Sequence, residues 1–272
     1  MDHRGRVVVV TGASSGIGRQ VALDFAARGA DLVLVARRAA LLDDVAAACR
    51  ARGVRIEPLA LDVAAPDAPA AIVGAAAARL GRLDVLVNNA GISKHKQIYA
   101  VTPGDLEQTI AVNLLAPMRL TLAALPAMLR QGGGCVVNVS SVAGKLPPPR
   151  ESVYAASKFG LTGFTEGLWL DLQGSGVHAA VIHVGPVDTE IWEKVDEPAA
   201  FQGRKWPASA VSAAVLRAVE ERRHEIWVPG RYRFAWLFRI LMPGAFRAGS
   251  ARFDPVPPEV VAAARARAGA FE

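Results

Sequence analysis

Short runs of Val, Leu and Ile alternate along the chain with longer stretches whose apolar residues recur every three to four positions. Val7–Val10, Leu32–Val35, Arg55–Leu61, Leu83–Val87, Cys135–Val139, Val177–Val184 and Ile226–Val228 are β-branched or continuously apolar. A strand covered on both faces of a parallel sheet needs that composition, because neither set of alternating side chains meets water. Between these runs, Gly16–Arg28, Ala39–Arg52, Pro66–Leu80, Pro103–Arg130, Val153–Gln173 and Pro207–Arg223 carry helical spacing. Several of them open with Pro or follow Ser, Thr or Asp, the residues that start helices. The alternation predicts an α/β fold, a doubly wound seven-stranded parallel sheet flanked by helices. Two segments break the rhythm. Residues 187–206 have no clean period, and a loop of that length inside a domain is usually functional. The other is the chain beyond Val228.

Composition narrows the class. A chain of 272 residues suits one α/β domain, and 52% hydrophobic against 21% charged residues excludes a disordered protein. Cys49 and Cys135 are too few for a disulfide framework and read as reduced, semi-buried thiols. The first apolar run is too short for a signal peptide, and no stretch reaches the ~18 apolar residues of a membrane span. The expectation is a cytoplasmic protein. The net charge of +6 would suit an anionic partner. No aromatic–basic platform or helix-turn-helix pattern accompanies it, so nucleic acid is not the expected partner. No metal site is expected.

Thr11-Gly12-Ala13-Ser14-Ser15-Gly16-Ile17-Gly18 follows the first strand and opens the first helix. In that context a glycine-rich turn binds a dinucleotide. Gly12 permits the tight turn, Gly16 lets the backbone approach a pyrophosphate, and Gly18 allows close helix–strand packing. The phosphates would meet the N–H groups of Ser14, Ser15, Gly16 and Ile17 at a helix N-terminus. The alternative is a tight turn without a ligand. The spacing, T-G-x-x-x-G-x-G, resembles that of the short-chain dehydrogenase/reductase family, single-domain branch, and so implies a Rossmann fold.

The second strand ends Val35-Ala36-Arg37-Arg38, where an NAD site usually places an acid and an NADP site an arginine. Arg37 would meet the 2′-phosphate with a bidentate fork, assisted by Arg38, so NADP(H) is favoured over NAD(H). The alternative is two solvated arginines at a helix start. The resemblance extends to Asp62-Val63, matching the family's adenine contact, and to Asn88-Asn89-Ala90-Gly91, matching its N-N-A-G motif. Gly185-Pro186-Val187-Asp188-Thr189 resembles the family's P-G-x-x-x-T stretch, in which Thr189 would bind the carboxamide. Here Val184 stands where the family has proline.

Tyr154-Ala155-Ala156-Ser157-Lys158 puts Tyr and Lys at i and i+4, on one helix face. By chance alone about 7% of such chains would hold that spacing, so its weight comes from context. Ser141 lies thirteen positions before Tyr154, and Asn113 sits in the long preceding helix, both as in the family. The resemblance implies carbonyl–alcohol interconversion with Tyr154 as acid/base and Lys158 lowering its pKa. Ser141 would hold the substrate oxygen, and Asn113 would anchor a relay water. The bland alternatives are an N-cap for Ser141, a surface Tyr/Lys pair and a helix kink at Asn113.

Within the family the chain looks most like hydroxysteroid and lipid-ketone reductases. The substrate is expected to be a small hydrophobic carbonyl or alcohol, lined by Ile92, Ser141, Leu146 and Trp192, with Trp206 nearby. His95 and Lys96 read as solvated. A homodimer or homotetramer is the family default. Residues 1–228 are expected to form the cofactor-binding and catalytic domain, and 229–272 a basic, aromatic extension near the substrate side. Arg222 to Arg252 holds seven arginines and one acid, Glu225, around an apolar stretch in which Phe234, Leu237, Phe238 and Leu241 share a helical face. That stretch reads either as peripheral membrane contact through 231–247 or as a subunit or lid helix. The rival to an enzyme is a non-catalytic NADP(H)-sensing or scaffold protein on the same fold.

Overall fold

A computed structural model describes residues 2–190, 203–253, 256 and 258–268. Its strands are β1 (Val7–Thr11), β2 (Asp31–Ala36), β3 (Ile56–Ala60), β4 (Val85–Asn88), β5 (Gly134–Ser141), β6 (Val177–Val184) and β7 (Glu225–Val228). They form one parallel sheet in the order β3-β2-β1-β4-β5-β6-β7, as the alternation predicts. The order reverses between β1 and β4, and ligands of doubly wound sheets bind at that crevice.

The continuous valine runs have a direct explanation. In β1, Val8 and Val10 face a core built with α1 (Gly16–Ala26), α2 (Ala39–Arg50) and α7 (Ala208–Glu220). Val7 and Val9 face the opposite core, built with α3 (Ala68–Ala75), α5 (Ala116–Arg130) and α6 (Ser152–Asp171). Cys49 and Cys135 are fully buried rather than semi-buried, and burial pushes their thiols up to about 11 and about 12. They are packing residues without thiolate reactivity.

Residues 103–130 are not one regular helix. α4 (Pro103–Ile110) passes through a π-helical turn at Ala111–Leu115 into α5. Contrary to expectation, this stretch is long and apolar enough to cross a membrane by length and composition. Its contacts are those of a core helix: Thr109, Asn113, Thr121, Ala124 and Met128 are buried, and α5 packs on α3, α6 and the sheet. After β7 the chain continues as α8 (Tyr232–Leu241), α9 (Pro243–Phe253) and α10 (Pro258–Ala268).

Candidate active site

The glycine turn fits against β4 at the switch point. Thr11 at the end of β1 donates its hydroxyl to the Val87 carbonyl and accepts from the Asn89 and Ala90 amides. Asn89 Nδ2 donates back to the Thr11 carbonyl at 2.9 Å. The space is closed to side chains. A Cβ on Gly18 would lie 2.2 Å from the Gly12 carbonyl oxygen, and one on Gly12 would lie 2.9 Å from Asn89 Nδ2. Gly16, at φ +53°, faces Thr189, whose Cγ2 is 3.0 Å from the Cβ position. The sequence-separated Gly12, Gly16, Gly18, Asn89, Ala90 and Thr189 thus share one crevice.

The N-cap of α1, Ser15, makes no side-chain bond to its own helix. Its hydroxyl accepts from Arg38 Nη2 at 2.6 Å, and Ser14 Oγ lies 3.3 Å from the same nitrogen. Arg38 also pairs with Glu190 at 2.8 Å. The two arginines, read from the sequence as main fork and helper, are placed differently. Arg37 extends outward, 3.9 Å from Asp62, and both are exposed. Arg38 is the arginine drawn over the turn. Asp62 accepts from the Ala64 amide, and Val63 packs on the core.

The second half of the site hangs from β5 and α6. Asn88 and Asn138, buried neighbours on β4 and β5, bond at 2.8 Å, and Asn138 donates to Thr165 on α6 at 2.8 Å. A buried network of this kind fixes the register of α6 on the sheet. Ser141 ends β5, caps the turn at Val142–Gly144 by accepting from the Ala143 amide, and faces the Tyr154 phenol closely enough to favour its charged form. Capping and facing Tyr154 are therefore compatible. Lys158 is buried, donates to the Val139 carbonyl at 3.1 Å, and holds its Nζ 5.8 Å from the centre of the Tyr154 ring.

Asn113 sits in the π turn and clips the opposite loop. Its Oδ1 accepts from the Ile92 amide at 2.9 Å, and its Nδ2 donates to the Ile92 carbonyl and to Ser157 Oγ. A π turn turns a helical side chain out of the regular i, i+4 row, as happens at many functional sites. Both Nδ2 hydrogens are thus used, while Oδ1 accepts one of the two bonds it can take.

The electrostatics differ from expectation. Burial is the first cause raising the Tyr154 pKa above its ordinary value, and the Glu151 carboxylate one turn earlier adds to it. Ser141 only partly offsets them. Burial also pushes Lys158 down to about 8, so the lysine charge is itself costly. In the ligand-free protein the phenol keeps its proton.

Lys158 yields a stability prediction. Its native value of about 8 lies below the ordinary 10.5, so between those pH values the unfolded chain binds the proton and the native one does not. Wild-type stability therefore rises with pH across that window. Lys158→Met is expected to stabilise the protein by up to roughly 3 kcal/mol at neutral pH, with the gain fading above pH 8 and gone above about 10.5. Thermal melts from neutral to alkaline pH read this directly, and equal melting temperatures at neutral pH would contradict it.

Several residues lie elsewhere than the sequence suggests. His95 is buried, 3.5 Å from Glu151, and Lys96 pairs with Asp105 at 2.8 Å, so neither is a solvated loop residue. Ion pairs of Lys94 and Lys96 with Asp105, and the hydrogen bond of Ser93 to Glu151, hold this polar loop down. Ile92 and Leu146 are half-buried, while Trp192 lies outside the described residues. Trp206 forms the base of the 187–206 segment. Its backbone pairs with Pro186 and Asp188, and Arg204 and Arg231 lie over its ring, as in a packing residue. Sequence reasoning missed Glu151 and His183. His183 is buried, places Nδ1 3.4 Å from the Ser141 carbonyl, and pairs Nε2 with Glu225 at 2.8 Å. Its signal was a histidine inside an otherwise apolar strand. Among the described residues, no group of three or more His, Cys, Asp or Glu could hold a metal ion.

The crevice at the switch point, the glycine turn and the neighbouring Ser141, Tyr154 and Lys158 define the class as an α/β protein with a dinucleotide-type turn. The short chain dehydrogenase family model matches residues 6–200, and the chain belongs to that family. It is 39% identical over 191 residues to a short chain dehydrogenase of Pseudocercospora fijiensis, covering 69% of this chain and 62% of that protein. It is 34% identical over 257 residues to 11-beta-hydroxysteroid dehydrogenase 1A of Arabidopsis thaliana, covering 88% and 72%. A metagenomic short-chain oxidoreductase solved in complex with NADP superposes with a TM-score of 0.72 at 33% identity, covering 83% of this chain and 97% of that one.

Proposed function

We propose that this protein is an NADP(H)-dependent oxidoreductase that interconverts a hydrophobic ketone or aldehyde with its alcohol, using Tyr154 as acid/base. The observation that carries the reading is the convergence of Ser141, Tyr154 and Lys158 on one side of a crevice whose other side is a side-chain-free glycine turn. The turn fits a dinucleotide: Gly12, Gly16 and Gly18 leave room only for backbone, and Ser14 to Ile17 open a helix toward it. Asp62, Val63, Asn89, Ala90 and Gly91 would line the adenosine and ribose. Pro186, Val187 and Thr189 would close over the nicotinamide. When bound, the nicotinamide supplies or removes a hydride at the carbonyl carbon.

The chain's own residues do the rest. Ser141 holds the substrate oxygen beside Tyr154 and donates to the charge that develops on it. Tyr154 gives that oxygen a proton in reduction and takes it back in oxidation. Lys158 orients the site and carries positive charge toward the phenol. Asn113 fixes Ile92, and with it the floor of the substrate side. In this reading residues 1–228 are the catalytic unit and 229–272 an extension of it.

The hydrophobic substrate is supported by Ile92 and Leu146 beside Ser141. Two buried free cysteines suit a reducing cytoplasm. Exposed Leu122 and Leu129 on α5 and Leu170 on α6 support a homo-oligomer through those helices. Peripheral membrane contact through 231–247 completes the reading.

NADP(H) rests on Arg37 and Arg38 at the end of β2, where no acid opposes a 2′-phosphate. Titration by nicotinamide fluorescence is expected to show NADPH bound more tightly than NADH. Arg37→Ala and Arg38→Ala should each cost about 10–100-fold for NADPH and little for NADH, the worth of a charge-assisted hydrogen bond. Equal losses for both cofactors would mean that the arginines shape the turn rather than select the phosphate.

A further inference from the structure

An amphipathic helix in a globular domain turns its apolar stripe to the core. α8 does the reverse. Its inward residues are Tyr232, Ala235, Trp236 and Arg239, at i, i+3, i+4 and i+7. A Cβ on Gly185 would come within 2.7 Å of the Tyr232 ring. Trp236 neighbours Trp227 at 6.1 Å between ring centres and lies 5.5 Å from Lys145 Nζ. Arg239 donates to the Lys145 carbonyl at 2.7 Å and stands over the Phe159 ring. The opposite face presents Phe234, Leu237, Phe238 and Leu241, which are 62%, 46%, 43% and 70% exposed, and Ile240 and Met242 extend it. No residue of α8 is buried. A continuous apolar stripe of this kind marks a binding surface.

Charge decides between occupants. From Ile226 to Arg252 the chain holds five arginines and no acid. Arg239 is turned inward, while Arg231, Arg233, Arg247 and Arg252 are exposed around the stripe. A second copy docked on this face would bring two such arginine sets together, with no carboxylate in the segment to pair them. An anionic lipid surface satisfies both parts, with acyl chains for the stripe and headgroup phosphates for the guanidinium groups.

We infer that α8 is an interfacial helix that seats this protein on an anionic bilayer, with the Phe234–Leu241 face at the headgroup–acyl boundary. This deepens the hydrophobic-substrate reading and rests on it for its purpose. The inward face of α8 leans on Lys145, Phe159 and Gly185. These follow Ser141 and Lys158 and precede Thr189, so the docked helix holds the substrate side of the crevice at the bilayer. An apolar ketone then reaches Tyr154 with little exposure to water.

The test is co-sedimentation of the full chain with phosphatidylcholine vesicles, with and without about 30% phosphatidylglycerol. Wild type, the double variant Leu237→Glu/Phe238→Glu and the double variant Arg233→Gln/Arg247→Gln are compared. All four positions are exposed, so circular dichroism should show unchanged folding. Wild type is expected to bind anionic vesicles at least about tenfold more tightly than neutral ones, and to release them as salt rises. Each double variant is expected to lose at least about tenfold on anionic vesicles. No binding by wild type, or equal binding by the glutamate variant, overturns the proposal. So does a wild-type oligomer that ignores vesicles and that the glutamate variant dissociates, which would give the face to a second copy. NADPH fluorescence on the same samples separates the two readings. Vesicle binding without nucleotide binding would sink the oxidoreductase reading alone, and the converse would sink only the lipid one.

Discussion

Replacing Tyr154 by Phe is expected to lower carbonyl turnover by about 10²–10⁴-fold, the range that a positioned acid/base contributes, while nucleotide binding stays within about twofold. The substitution removes one oxygen. It takes away the phenolic hydroxyl that faces Ser141, and with it the proton, and leaves the ring in place near Lys158. The ligand-free site raises the phenol's pKa, so Tyr154 stands protonated through neutral pH and is ready as an acid for reduction. Reduction should therefore be nearly flat with pH through the neutral range. Oxidation, which needs the phenolate, should climb as pH rises and depend on the positive charge that the oxidised nicotinamide brings. Steady-state rates on a panel of apolar ketones and alcohols, with NADPH fluorescence in parallel, measure both parts. Retained turnover in the Phe variant would remove Tyr154 from the chemistry, and lost nucleotide binding would make it a structural residue.

Gly18→Ala is expected to abolish nucleotide binding and to cost about 3 kcal/mol of stability, at the upper end for overpacking a tight site. The added methyl would fall 2.2 Å from the Gly12 carbonyl oxygen and 2.6 Å from Asn89 Nδ2. The first contact is with backbone, and the second is with an amide held in place by its hydrogen bond to the Thr11 carbonyl. Relief requires α1 to move off the turn, which takes the N–H groups of residues 14–18 out of position for phosphates. Gly163→Ala, on an open face of α6 with nothing within 4 Å of its Cβ, is the control and should be neutral or slightly stabilising. Nucleotide binding and melting temperature, measured together, check both. A Gly18→Ala protein that still binds NADPH would show that the turn is not the phosphate cradle.

Much of this was legible in the linear chain, and the reason is local. A strand buried on both faces must be apolar at every position, so Val7–Val10 and Val177–Val184 announce themselves. A helix places Tyr154 and Lys158 together by its own period. Other features depended on distant packing. The break in 103–130 was hidden because the apolar spacing runs on through it, although Pro117 marks where the second helix begins, and the π turn arises where Asn113 reaches across to Ile92. His95 looked solvated because its neighbours Lys94 and Lys96 are charged, yet those lysines pair with Asp105 and let the loop bury the ring. Strand spacing places Arg37 and Arg38 side by side, and only the packing shows that Ser14, Ser15 and Glu190 draw Arg38 over the turn.

The sequence by itself determined the parallel sheet, the glycine turn and the Tyr154–Lys158 pair, because periodicity, backbone freedom and i, i+4 spacing are properties of a few neighbouring residues. Only the tertiary structure decided that the phenol and the lysine both lie in an environment that opposes their charged forms, since desolvation depends on everything packed around a group. It alone decided that α8 turns its aromatic and arginine face inward and its apolar face outward. A helical pattern shows that two faces exist, and only the surface it leans on determines which of them is left for a partner.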